Sequence, residues 1–458
     1  MSYSTQIMVC CKYSFYGYPM IETCKPDAVL AKLVPPVRPN PRIIYVPSQF
    51  SLPFEHQGKG YCFNTLTKQC VEGRLPEAAK GGEGYDEWIT GQFLVPADKD
   101  ECAYYNQISA LMRAYSKKKD VRGYTILPTL GCNARCVYCY EEGTKPVSMS
   151  SETVEQTIRF IRNNCGGSEV KLSWFGGEPL LRPDIIDRIC AGVGEAGLEY
   201  KSSMISNGSL VTPKFVDRMA GEWKLRHIQI SMDGAEADYV SRKRYYADRD
   251  HYHQVMRAVS RMSEAGITVT IRCNVDEENA GGIPRFLDDL SVGVAHKDKA
   301  DIYFAPLNAV RMSENDLALW TKLRDLRPLV EGAGFRFRPF LGLGTAFRTF
   351  HCMADAGSVV VAPDGSLYPC EHCPPGSRLG DIWHGVTDEA ARREFCRVDR
   401  TREKCKTCSF LPDCTSFAAC PVQDTHCREV HEMMAIDALR RMVDRQESEI
   451  GGEDGPIC

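Results

Sequence analysis

No apolar run in this 458-residue chain reaches the roughly 18 residues that a membrane-spanning helix needs. Its first twenty residues, MSYSTQIMVCCKYSFYGYPM, lack a basic segment leading into an apolar one, so no secretory signal is read there. Basic residues are scattered rather than striped, and the formal net charge is only −4, which leaves no electrostatic footprint for nucleic acid. With 43% hydrophobic and 25% charged residues, the composition is that of an ordinary soluble protein of two or three domains, expected in the cytoplasm.

What the chain has in excess is cysteine, 22 in all. A secreted disulfide scaffold would be short and would carry a signal peptide, so a reducing compartment and metal ligation are the better reading. Ten of the 22 fall at or after Cys352 and six before residue 118. The long middle region holds Cys132, Cys136 and Cys139, plus Cys165, Cys190 and Cys273 in apolar or helical contexts. Those last three read as core packing, because free cysteine behaves as a small buried hydrophobe.

Between residues 124 and 307 the pattern alternates. Strands are expected at 124–129, 169–175, 200–206, 227–233, 268–275 and 300–307. Helices are expected at 151–164, near 182–196, near 213–222, at 251–265 and at 281–292. Six strands alternating with helices argue for parallel βα units, too few for a closed eight-stranded barrel, so the expected fold is α/β with a partial (βα)6 TIM-like barrel. In such barrels chemistry sits at the C-terminal ends of the strands. The segment LGCNARCVYCYEEG (130–143) lies there, after the first strand.

Three cysteines are one short of a structural zinc site. They can hold three irons of a [4Fe–4S] cluster and leave the fourth open. Cys-x3-Cys-x2-Cys with Tyr138 before the last cysteine resembles the defining motif of radical S-adenosylmethionine (radical SAM) enzymes. The resemblance implies that SAM chelates the open iron through its methionine amino and carboxylate groups. One electron then cleaves it to a 5′-deoxyadenosyl radical, which abstracts a substrate hydrogen. A flavodoxin- or ferredoxin-type protein would supply that electron.

Further matches stand at successive strand ends. WFGGEPLL (174–181) resembles the family segment that meets the SAM amino group; Gly176 and Gly177 permit close backbone approach, and Glu178 can accept charge-assisted hydrogen bonds. SNGSLVT (206–212), with Ser206 and Asn207, resembles the ribose-contacting segment. SMDG (231–234) puts Ser231 and Asp233 at the mouth. Arg244 stands where relatives carry an arginine aimed at the SAM carboxylate, although Arg242 and Lys243 compete and SRKR could be a solvated charge run. IRCNV (271–275) places Arg272 and Asn274 after the fifth strand.

The C-terminal hundred residues carry a second array. Cys352 and Cys370 bracket a hairpin with Asp364-Gly365 as its turn, followed by Cys405, Cys408, Cys414, Cys420 and Cys427. This resembles the SPASM domain, which binds two auxiliary [4Fe–4S] clusters. The resemblance implies an outer cluster on Cys405, Cys408, Cys414 and Cys427 and an inner one on Cys352, Cys370 and Cys420. The five-residue gap between Cys414 and Cys420 is longer than relatives usually show. The inner site is one ligand short, and Cys373, Cys396 or Cys458 closes it unless it stays open for a substrate sulfur. Two four-cysteine zinc sites would fit the local spacing almost as well.

The expected organisation is thus a small N-terminal α+β domain over 1–118, the radical SAM partial barrel over 119–345, the SPASM domain over 346–435, and a C-terminal helix and tail over 436–458. The N-terminal segment suggests a hairpin around Asn64 to Thr67 and ends in GQFLVPADKDE, as in SPASM enzymes that modify ribosomal peptides. In some relatives it grips the precursor's leader peptide by strand addition. By resemblance, the chain is expected to be a maturase of a ribosomally synthesised precursor peptide, installing a crosslink, most readily a cysteine thioether. Other readings are an anaerobic sulfatase maturase forming formylglycine, a peptide C–C crosslinking enzyme, and a zinc-ribbon binding protein without catalysis. Glu371 and His372, in YPCEHC, are candidate bases; some formylglycine-forming relatives carry an aspartate at the Glu371 position.

Overall fold

The computed structural model describes residues 32–75, 84–115, 123–167, 169–307, 314–338, 358–373, 376–395, 403–413 and 428–451. Six parallel strands follow one another across a single sheet: β1 (Gly123–Ile126), β2 (Val170–Trp174), β3 (Tyr200–Ser206), β4 (Leu225–Ser231), β5 (Thr268–Val275) and β6 (Ala300–Pro306). Each pairs with the next in parallel register, from Gly123 opposite Lys171 to Val269 opposite Ala300. Parallel neighbours need crossovers, and helices supply them: α1 (Ser151–Asn164), α2 (Pro183–Glu195), α3 (Pro213–Ala220), α4 (Glu236–Lys243), α5 (His251–Glu264) and α6 (Ile283–Gly293).

The helices start where the chain offers caps. Ser150 accepts from the Thr153 amide at the head of α1, Thr212 does the same for α3, and Asp250 for α5. Their apolar stripes bury against one face of the sheet, where Trp174, Ile228, Ile230, Val269, Ile271 and Ile302 are fully buried. Each such side chain contributes about 1.5–3 kcal/mol of hydrophobic stabilisation. The alternate residues line the other face and are mostly polar. Ser173 meets Ser203 at 3.1 Å, His227 meets Thr270 at 2.7 Å, and the Tyr303 hydroxyl donates to Gln229 at 2.8 Å. An α/β sheet with an apolar back and a polar concave side is the partial barrel expected.

Two further strands border it. β7 (Arg336–Phe337) adds in parallel to β6, and β8 (Ser358–Val361) adds in parallel to β1. From β8 the chain turns antiparallel through β9 (Ser366–Tyr368), β10 (Gly380–Asp381) and β11 (Gly385–Val386). The β8–β9 turn is the one read at Asp364-Gly365. Gly365 takes φ +82°, and the Asp364 carboxylate accepts from the Ser366 amide at 2.9 Å.

Before the barrel, strands Ser51–His56, Lys59–Asn64 and Cys70–Glu72 make an antiparallel sheet. Asn64 turns the second hairpin by accepting from the Leu66 and Thr67 amides, both at 2.9 Å. The sheet packs Leu52, Phe54 and Phe63 against Leu439, Met442 and Val443 of the C-terminal helix Arg428–Gly451. Its hairpin tip reaches the cysteine-rich segment: the Thr65 hydroxyl donates to the Ser409 carbonyl, and buried Lys68 pairs with Asp413 at 2.6 Å. Cys62 and Cys70 are buried in this unit, and burial pushes the Cys62 thiol up to about 12. Cys165, Cys190 and Cys273 are buried in the barrel core.

Candidate active site

The loop that leaves β1 carries Cys132, Cys136 and Cys139, none of them fully buried. It is held from two sides. On one, the backbone of 242–246 runs alongside: the Arg135 amide donates to the Arg244 carbonyl and the Val137 amide to the Arg242 carbonyl, both at 3.0 Å, while the Tyr246 amide donates to the Asn133 carbonyl at 3.1 Å. On the other, the Gly177 amide donates to the Thr129 carbonyl at 3.1 Å and the Glu178 amide to the Gly131 carbonyl at 2.8 Å. A Cβ on Gly177 would fall 2.2 Å from the Gly131 oxygen, and one on Gly176, at φ +109°, 2.3 Å from the Thr129 oxygen. The two glycines therefore admit the cysteine loop itself.

Glu178 is fully buried, and burial raises its carboxyl above the ordinary range. Its oxygens accept from the Leu180 amide at 3.1 Å, the Ser206 hydroxyl at 2.9 Å and the Asn207 amide at 2.8 Å. The carboxylate so ties the end of β2 to the end of β3. Asn207 in turn extends its Nδ2 toward Cys132 Sγ at 3.9 Å and to Asn133 Oδ1 at 2.8 Å. Burial first, and the Glu178 charge second, push the Cys132 thiol up to about 12. A thiolate ligand must be deprotonated, so a metal bound here would displace that proton.

Across the mouth, Asp233 accepts from the Asn274 amide at 3.1 Å and from Asn274 Nδ2 at 2.9 Å, and the Tyr138 hydroxyl donates to its other oxygen. Lys243, fully buried, stands 3.3 Å from the same carboxylate and donates to Tyr138 at 2.8 Å. Burial alone would lower this ammonium, but Asp233 and then Tyr138 hold it well above its ordinary value. Of the three cations in SRKR, Lys243 is the one at the site. Arg242 turns to Asp276 at 2.7 Å, and Arg244, at φ +48°, is exposed with its Nε on the Ser241 carbonyl. Arg244, the residue the sequence points to, stays exposed at the rim, while the end of α4 turns Lys243 inward. Arg272 donates to Asn274 at 2.9 Å on the concave face, and Ser231 is half-buried at the end of β4.

Beside the loop lies a cavity of about 380 Å³ between residues 140–147 and the β8–β9 hairpin. Tyr140, Glu141, Tyr368, Glu371, His372 and Cys373 line it. The Tyr140 and His372 rings are 4.3 Å apart. Burial pushes the Glu141 carboxyl up to about 7 and the His372 imidazole below its ordinary value. Both base candidates read from the sequence thus share one cavity; Tyr140 and Glu141 were not foreseen, having no motif of their own.

Residues 126–290 match the Radical SAM superfamily. These residues form a radical SAM domain, and the chain is an enzyme. It is 25% identical over 315 residues to the PqqA peptide cyclase of Ruegeria pomeroyi, covering 64% of this chain and 80% of that protein. It is 33% identical over 110 residues to the AdoMet-dependent heme synthase of Methanosarcina barkeri, a match spanning 24% of this chain and 30% of that one. Among solved structures, AdoMet-bound anSMEcpe superposes with a TM-score of 0.54 at 18% identity, over 71% of this chain and 99% of that one. That likeness is one of fold.

Radical SAM enzymes use SAM and a [4Fe–4S] cluster. The three thiols of the loop fit such a cluster better than a single ion. Their sulfurs are not gathered within 4.8 Å of one another, as Glu236, Asp250 and His253 are on the surface. One tetrahedral ion draws its thiolates closer than that, whereas a cluster gives each its own iron. Of the C-terminal cysteines, Cys370 and Cys373 follow β9, with the Cys373 amide on the Cys370 carbonyl at 3.0 Å. Cys405 and Cys408 share one turn beside Leu66 and Leu411. Cys352, Cys414, Cys420 and Cys427 lie outside the described residues, as do Cys396 and Cys458. Next to Cys405 and Cys408, Asp413 Oδ1 and Thr67 Oγ1 are buried without a hydrogen-bond partner.

Proposed function

We propose that this radical SAM enzyme matures a ribosomally synthesised peptide, removing two hydrogens to close a crosslink, a thioether from a cysteine sulfur to carbon. The observation that carries the peptide substrate is the likeness to PqqA peptide cyclase, which runs over 80% of that protein. A structure of anSMEcpe with bound AdoMet and a Cp18Cys peptide has the same fold at TM-score 0.54.

When bound, SAM and the cluster on Cys132, Cys136 and Cys139 supply a 5′-deoxyadenosyl radical that takes one hydrogen atom from the substrate. The chain's residues do the rest. Asn207 and the Glu178 ties set the ends of β2 and β3, and Lys243 fixes Tyr138 and Asp233 opposite them. Gly176, Gly177, Ser206, Ser231, Arg272 and Asn274 complete the SAM-facing rim. The thiol of the substrate must lose a proton as its sulfur bonds to the carbon radical, and the one electron left over would be taken up by an oxidised auxiliary [4Fe–4S] cluster held on the C-terminal cysteines. Glu371 or His372 takes that proton. Cys352, Cys370 and Cys420, with or without Cys373, and Cys405, Cys408, Cys414 and Cys427 hold the two auxiliary clusters. The N-terminal unit receives the leader peptide, and a flavodoxin- or ferredoxin-type protein is the electron donor.

The test uses anaerobically reconstituted enzyme with dithionite, SAM and the candidate precursor. Expected products are 5′-deoxyadenosine and a peptide lighter by two hydrogens, both abolished when Cys132, Cys136 and Cys139 become alanine. A peptide that loses sulfur and gains oxygen would assign formylglycine formation instead. Zinc without acid-labile sulfide would exclude both.

A further inference from the structure

The cavity beside the cysteine loop is lined by two unlike kinds of residue. Leu127, Leu130, Val147 and Pro363 are apolar. Glu141, Asp364 and Glu371 bring three carboxyl groups, and no lysine or arginine is among the described residues that line the space. Carboxylates on open surface would be solvated and mean little. Here Glu141 is half-buried, and among the described residues its side chain has no hydrogen-bond or ion-pair partner and no cation pairs with Asp364 or Glu371. Asp364 spends one face on Ser366, and Glu371 accepts only from the Cys370 thiol at 3.6 Å. Carboxyl groups without a cationic partner beside apolar side chains are complementary to a long aliphatic stem that ends in a cation, and such a cation favours their ionised form. The rings of Tyr140 and Tyr368 offer faces on which such a cation also rests favourably.

We propose that this cavity seats a lysine or arginine side chain of the peptide substrate, its stem on Leu127, Leu130 and Val147 and its charge at Glu141 and Asp364. The inference rests on the peptide-maturase reading above. Its consequence is positional: Tyr140 follows Cys139 directly, so a cationic residue anchored here holds the adjoining stretch of peptide beside the cysteine loop. A basic residue at a set distance from the modified one becomes part of the recognition code.

Three synthetic pentapeptides test it on the reconstituted full-length chain: acetyl-Gly-Gly-Xaa-Gly-Gly-amide with lysine, norleucine or glutamate at Xaa, their affinities measured by calorimetry or ligand-observed NMR. Norleucine has the same stem without the charge. The lysine peptide should bind at least about tenfold more tightly than the norleucine peptide, and glutamate should bind least. Glu141→Gln with Asp364→Asn should bring lysine down to the norleucine level. If the double variant does not fold by circular dichroism, Glu141→Gln alone should still lose several-fold for lysine and nothing for norleucine. Equal affinity for lysine and norleucine, or an unchanged preference in a folded variant, overturns the proposal. So does a fall in iron per chain in Glu141→Gln, which would give the cavity to a cluster. Wild-type 5′-deoxyadenosine formation is assayed in parallel. Radical chemistry without lysine preference removes only this inference, and absence of that chemistry removes the reading beneath it.

Discussion

Lys243 Nζ donates to the Tyr138 hydroxyl at 2.8 Å, pinning the loop of Cys136 and Cys139 to the end of α4. The same ammonium neutralises Asp233, whose carboxylate is fully buried. Lys243→Met would strand that charge, at a cost of about 3–5 kcal/mol in a urea melt, whereas Tyr138→Phe should cost about 1 kcal/mol. The sign of the pH dependence follows from the raised lysine. Its contribution is complete below the ordinary 10.5 and is lost only as pH climbs through the higher folded value. The penalty for Lys243→Met should therefore be equal at pH 7 and pH 9. A penalty that shrinks over that interval would contradict the pairing.

Gly177 offers a sharper probe of the loop. An alanine methyl there would meet the Gly131 carbonyl at 2.2 Å, so the loop must move for the chain to fold. Gly177→Ala should retain secondary structure, lose iron at the three-cysteine site and make 5′-deoxyadenosine at least about tenfold more slowly. Gly194→Ala, in α2 with nothing within 4 Å of the new methyl, should be neutral or stabilising by about 0.5–1 kcal/mol.

The inner auxiliary site is expected to keep an exchangeable iron for a substrate sulfur. Of Cys373, Cys396 and Cys458, Cys373 is the main candidate to close it, three positions after Cys370. Cys373→Ala should keep its full iron content and still crosslink peptide. A loss of about four irons per chain, one whole [4Fe–4S] cluster, would show the site closed and move the assignment toward chemistry without sulfur ligation.

Proton removal is separable from radical generation. Glu371→Gln or His372→Ala should lower crosslinked product by a factor on the order of 10²–10⁴ while 5′-deoxyadenosine continues to form. Full product yield in both variants would exclude both residues as the base.

The barrel was legible because its signals are local. Runs such as TVTIRCNV, and helically spaced apolar residues over 151–164 and 251–265, specify β5, α1 and α5 without reference to the rest of the chain. α4 was missed: EADYVSRK has only a few apolar residues, and its charges read as a solvated surface. The same blindness favoured Arg244 over Lys243, since a helix end decides which of three adjacent cations turns inward. The glycines of WFGGEP were legible as a close-approach site, but what approaches them, the 129–131 backbone, is a tertiary fact. The docking of Lys68 on Asp413 left no periodic trace at all.

That docking constrains the order in which the protein is made. Lys68 finds its counter-ion 345 residues further along the chain. At about 5–20 residues per second, a ribosome needs on the order of tens of seconds to deliver it. Until then the hairpin tip has no partner, and Leu52, Phe54 and Phe63 await a helix that is the last described element to emerge. The barrel can close during synthesis, but the antiparallel sheet of residues 51–72 can finish packing only when Asp413 and Leu439 to Val443 arrive. Cys405 and Cys408, by contrast, emerge into surroundings that the earlier-made hairpin already supplies.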